Sequence, residues 1–150
     1  MDKEEPSFIL LSETWTHLPD SWQATDTLNP LYSFYLNSED RHDELLSLHK
    51  SRAHGGTMTL WRKELDPYVT ILEPTSSRIL VLVLDVPGFQ VNIHINIYLP
   101  TSGKEEEFME QLALLEDTID HINEKYPDSV HYIRGDANAS PSPRKDNRQD

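Results

Sequence analysis

The chain has 150 residues, enough for one domain with a real core. Its 26 acidic residues outnumber 13 basic ones, a net charge of −13, which argues against broad nonspecific nucleic-acid binding but leaves open a hard-cation site built from carboxylates. Cysteine is absent, which excludes disulfides, thiolate zinc sites and cysteine nucleophiles.

Residues 1–7 are polar and read as a frayed terminus. No apolar run approaches the ~20 residues of a membrane-spanning helix. Residues 8–11 are too few for the core of a signal peptide, so an intracellular protein without a membrane segment is expected. Phe8-Ile9-Leu10-Leu11 reads as a buried strand ending at Ser12-Glu13-Thr14-Trp15, and Pro19, Asp20, Asn29 and Pro30 mark loops. Residues 31–36 hold Tyr32, Phe34 and Tyr35, a β-prone patch. Residues 38–53 are charged and read as a solvated loop with a helical turn near Leu45.

After His54-Gly55-Gly56, residues 57–61 alternate threonine with Met58 and Leu60, a strand pattern. Residues 69–72 and 79–84 are further strands, and the second is apolar on both faces, as a central strand should be. Pro87-Gly88 marks a turn. Residues 91–98 alternate, with Val91, Ile93, Ile95 and Ile97 on a core face and Asn92, His94, Asn96 and Tyr98 on a polar one. Ser102 and Glu105 fit a capping box. Beyond them Phe108, Leu112, Leu115, Ile119, Ile122 and Tyr126 form one helical stripe that ends at Pro127. Residues 130–133 form a last strand that runs into Arg134-Gly135-Asp136-Ala137-Asn138. The tail from Ser140 has no apolar side chain and reads as disordered. The organisation expected is a frayed terminus over 1–7, one domain over 8–139 and a tail over 140–150.

Glu13 and Asp136 each follow an apolar strand, where α/β folds place their sites. A strand must also end in something polar, and Gly-Asp-x-Asn taken alone is equally a turn. Tyr98 taken alone is a hydroxyl at the edge of a sheet. His54-Gly55-Gly56 resembles an esterase oxyanion loop, but no G-x-S-x-G elbow accompanies it. The seven histidines show no H-E-x-x-H spacing, and Glu105-Glu106-Glu107 reads as a solvated helix start.

The order of these motifs carries more than any one of them. A strand ending in Ser12-Glu13-Thr14-Trp15, a Gly55-Gly56 strand, Asn96-x-Tyr98-x-Pro100, a long helix and a strand ending in Gly135-Asp136-x-Asn138 follow one another. This series resembles the endonuclease/exonuclease/phosphatase family of metal-dependent phosphodiesterases, most of all the endonuclease domain of non-LTR retroelements, over residues 8–139. The resemblance implies an α/β fold, a four-layer sandwich of two mixed sheets between helices, with this chain supplying its first half. It implies that Glu13 ligates Mg²⁺ (or Mn²⁺), that Tyr98 hydrogen-bonds near the scissile phosphate, that Asp136 orients or deprotonates the attacking water, and that Asn138 steadies Asp136 and the phosphate. DNA or another phosphodiester is the implied partner.

The chain departs from the family pattern in several places. A first strand bearing an asparagine is missing, as are a further aspartate and a terminal Asp-His pair. Ala137 stands where Phe is common, and Thr101 where some relatives have asparagine. The expectation is a form truncated at both ends, with weak or no activity alone. Two alternatives stay open. One is a non-catalytic interaction remnant that associates with itself or with a partner supplying the missing half. The other is a family phosphatase or phosphodiesterase acting on a non-nucleic-acid phosphoester.

Overall fold

The computed structural model describes residues 6–12, 14, 30–38, 56–101 and 103–138. They form two sheets and one long helix. The first sheet is antiparallel, in the order β1-β3-β2, from β1 (Phe8–Ser12), β2 (Tyr32–Asn37) and β3 (Thr57–Arg62). A 3₁₀ helix, Lys63–Tyr68, leads into the second sheet, with Trp61 Nε1 donating to Asp66 Oδ1 at 2.7 Å across that junction. The second sheet runs β4-β5-β6-β7, from β4 (Val69–Ile71), β5 (Ile79–Leu84), β6 (Asn92–Tyr98) and β7 (Val130–Asp136). Its first three strands are antiparallel. β7 lies parallel to β6 because helix α1 (Glu105–Lys125) carries the chain back between them. The α/β class expected from the sequence is therefore present.

The alternation in β5 and β6 dictates the layers. Ile79, Val81 and Val83 join Ile93, Ile95 and Ile97 on one face, where Leu115 and Ile122 of α1 close the core. Phe108, Ile119 and Tyr126 pack against the same cluster, and so does Leu114, which lies off the expected stripe. Leu80 and Leu82 project to the opposite face and are also fully buried, which explains why β5 is apolar throughout.

The polar face of β6 is buried between the sheets. Asn96 Nδ2 donates to the carbonyls of Leu11 (3.0 Å) and Met58 (3.1 Å), tying β1 and β3 to the second sheet. Asn37 Nδ2 donates in the other direction, to Ser76 O at 2.8 Å and Ile79 O at 3.3 Å. Buried amides are tolerated here because their hydrogens reach backbone acceptors. His94 stacks between Phe8 (ring centroids 4.3 Å) and Tyr132 (5.2 Å). Burial and then the nearby Arg134 charge hold its imidazole below the ordinary value of 6.5.

Two local expectations change. The helix starts at Glu105 with Lys104 as N-cap and no side-chain cap there, while Ser102, the expected cap, lies outside the described residues. The acidic Glu105-Glu106-Glu107 turn supplies the favourable interaction with the helix dipole instead. Gly135-Asp136 is strand rather than turn, since β7 stays paired with β6 through Asp136. The solvated loop over 38–53 falls outside the described residues apart from Ser38, which is buried, and the tail from Ser140 lies wholly outside them.

Candidate functional site

The site is assembled at the carboxyl ends of β6 and β7. Tyr98 and Asp136 are register partners in that parallel ladder, so their side chains leave the sheet on the same face. Leu99 N donates to Asp136 O at 2.9 Å and carries the pairing one step further. This close approach depends on Gly135, whose φ is +125°. A Cβ there would overlap the Ile97 carbonyl oxygen and lie 3.0 Å from the Ile97 carbonyl carbon. The glycine before the aspartate is thus a requirement of strand pairing.

Asn138 closes the group. Its φ is +47°, in the left-handed region that asparagine tolerates better than most residues. Its backbone N–H donates to Asp136 Oδ1 at 2.8 Å, and its Nδ2 donates to Leu99 O at 2.6 Å. The Asp136 carboxylate is held from one side while the residue stays exposed. Three of the four residues expected from the sequence, Tyr98, Asp136 and Asn138, therefore meet at one end of the second sheet.

Glu13 lies outside the described residues, between β1 and Thr14, which are described. Phe8 stacks on His94 and Leu11 O receives Asn96 Nδ2, so β1 runs in the same direction as β6. Thr14 N donates to Gly56 O at 3.4 Å. Gly56 has φ +84°, and a Cβ there would meet Thr14 Oγ1 at 2.9 Å. The glycine that reads as a turn in the sequence is thus also what lets the chain after β1 lie close to β3.

Sequence reading overlooked Arg78. It precedes β5, donates Nη1 to Tyr98 O at 3.2 Å and Nη2 to Glu107 Oε1 at 3.0 Å, and lies 5.2 Å from the Tyr98 ring centroid. It links the end of β6 to the first turn of α1. The available signal was a single basic residue directly before a wholly apolar strand.

No group of three or more His, Cys, Asp or Glu side chains converges among the described residues. Asp136 is one exposed carboxylate at this strand end, and Glu13, expected as the metal ligand, lies outside the described residues. Carboxylate oxygen is the donor type Mg²⁺ takes, usually one or two carboxylates with water and phosphate completing the shell.

Two sheets, with one helix of the described residues covering the second, form an α/β sandwich. No protein-family model matches the chain, and no curated protein sequence does. Solved structures share the fold. Caenorhabditis elegans TDP2 superposes with a TM-score of 0.57 and 16% identity, covering 90% of this chain and 39% of that one. Its truncated form gives the same TM-score and identity with 50% of that chain covered. D. rerio TDP2, humanized by 14 mutations, gives a TM-score of 0.57, 20% identity, and coverage of 91% of this chain and 51% of that one. This chain spans about half the length of these structures or less.

Proposed function

We propose that this chain carries the catalytic strand ends of a Mg²⁺-dependent phosphodiester hydrolase of endonuclease type. The single observation behind it is the pairing of Tyr98 with Asp136, with the Asn138 amide bonded to the Asp136 carboxylate. The endonuclease flavour rests on the Ser12-Glu13-Thr14-Trp15 and Gly135-Asp136-Ala137-Asn138 strings, and the TDP2 fold supports the wider class.

Asp136 has one oxygen engaged by Asn138, which fixes the carboxylate plane. The other would hold a water and accept its proton as the oxygen attacks phosphorus in line with the leaving oxygen. Tyr98 donates its hydroxyl hydrogen to a non-bridging phosphate oxygen. Asn138 keeps Asp136 in position through its anchor on Leu99 O. Glu13 would hold Mg²⁺ or Mn²⁺, which would supply charge neutralisation at the phosphate.

The substrate assignment is tested by hydrolysis of an oligonucleotide against a soluble phosphoester in Mg²⁺. Cleavage of the oligonucleotide alone supports the endonuclease reading. Cleavage of the small phosphoester alone replaces it with a phosphatase reading.

One observation favours the interaction reading as well. Tyr132 and Ile133 of β7 are 39% and 47% exposed, and β7 pairs on one side only among the described residues. An open edge of this kind invites another strand. A monodisperse monomer in light scattering at high concentration would count against self-association there.

A further inference from the structure

A pocket of about 220 Å³ adjoins the site between the β6–α1 connection and the residues after β7. Pro100, Thr101, Phe108 and Met109 line it, with Glu105 and Asn138 beside them. Its accessible wall is mainly apolar. Phe108 packs against the core, which fixes one side. Met109 is 61% exposed although it is apolar and near the start of an otherwise acidic helix surface.

We infer that this pocket receives a nucleobase of the substrate, on a nucleotide flanking the scissile phosphodiester. The inference rests on the phosphodiesterase reading of the adjoining site. Size is the first argument. An apolar cavity of about 150 Å³ holds benzene, and drug-sized ligands occupy about 300–1,000 Å³, so this pocket fits one or two fused rings. Chemistry is the second. A methionine thioether makes favourable contacts with aromatic rings, and bases stack on apolar side chains regardless of sequence.

Charge is the third. Lys104 and four glutamates, Glu105, Glu106, Glu107 and Glu110, line the surface next to the pocket, so the balance there is acidic and a second phosphate is disfavoured where a neutral ring is not. Continuity is the fourth. Asn138 lines the pocket and bonds the Asp136 carboxylate, so a ring in the pocket and a phosphate at Asp136 share one anchor.

The test is methyl NMR on the full chain labelled at the methionine ε-carbons. The chain has three methionines. Met58 is buried at 4% exposure, and Met109→Leu identifies the Met109 signal. The probes are adenosine, ribose 5-phosphate and adenylyl-adenosine, with the Asp136 and Asn138 amides followed in parallel. Adenosine and the dinucleotide should shift the Met109 methyl upfield by ring current, while ribose 5-phosphate leaves it in place and Met58 does not respond. Met109→Glu should remove the adenosine response seen at the Asn138 amide.

The inference is overturned if ribose 5-phosphate moves Met109 as far as adenosine does. It is equally overturned if neither adenosine nor the dinucleotide moves it at about 10 mM, a concentration at which ligands of roughly ten heavy atoms bind detectably. Amide shifts at Asp136 and Asn138 with a silent Met109 would sink the pocket and spare the phosphodiesterase reading. A Met109 shift with adenosine, while the dinucleotide leaves those amides unmoved, would do the reverse.

Discussion

Replacing Gly135 by alanine is the sharpest structural perturbation the site offers. Gly135 has φ +125°, and its Cα faces the Ile97 backbone of the neighbouring strand. A non-glycine residue in such a region costs about 1–3 kcal/mol from backbone strain alone. The new methyl would also overlap the Ile97 carbonyl oxygen and lie 3.0 and 3.1 Å from the Ile97 carbonyl carbon and nitrogen. These are backbone atoms inside a sheet, so relief requires separating β6 from β7. The total should exceed ~4 kcal/mol, the range reserved for a few severe mechanisms. A domain of this size loses roughly 2–4 °C in Tm per kcal/mol, so a fall above ~10 °C is expected by thermal denaturation. Gly88→Ala is the control: its φ is +84°, but a Cβ there meets nothing within 4 Å. It should lose only the strain part, about 1–3 kcal/mol. Equal losses in the two variants would refute the β6–β7 register, and with it the pairing of Tyr98 with Asp136.

Other perturbations probe the seam and the site. Asn96→Ala orphans the carbonyls of Leu11 and Met58. Each should cost about 1–3 kcal/mol, read as a lower urea midpoint. His94 is held below its ordinary pKa of 6.5 by burial and then by Arg134. The unfolded chain therefore takes up a proton first as pH falls, so this contribution to stability is complete above about pH 6.5 and is lost below it. Urea midpoints at pH 7.5 and 5.5 should differ more for the wild type than for His94→Phe, which keeps a ring between Phe8 and Tyr132. Arg78 and Glu107 have side-chain exposures of 15% and 40%. A double-mutant cycle should give a coupling below about 1 kcal/mol, while Arg78→Ala alone costs more because it also releases Tyr98 O.

Much of the second sheet is legible in the sequence because its periodicities are strong. The alternation through Ile93, Ile95 and Ile97 gives β6 and its core face, and the Phe108 to Tyr126 spacing gives α1. The ends of elements are less legible. The helix begins at Glu105 with Lys104 at its N-cap, where acidic residues suit the first turn, while Ser102, which looks like a cap, lies outside the described residues. Gly135-Asp136 looks like a turn because its residue types favour turns. Its strand character comes from the neighbouring Ile97 backbone, a tertiary contact that local composition does not encode. The polar face of β6 is the clearest case. Asn96 and His94 read as a polar face, and what covers it is not legible because their partners Leu11, Met58 and Phe8 lie far away in the chain. Arg78 was missed for the same reason, since Tyr98 and Glu107 reach it only after folding.

The placement of Tyr98, Asp136 and Asn138 at one strand end carries the functional account. Nicking of supercoiled plasmid in Mg²⁺ or Mn²⁺, with Asp136→Ala assayed beside the wild type, tests it most directly. Metal-dependent nicking by the wild type is expected, and at least about a hundredfold less in the variant, the scale of losing a general base. Nicking that persists undiminished in Asp136→Ala would contradict it.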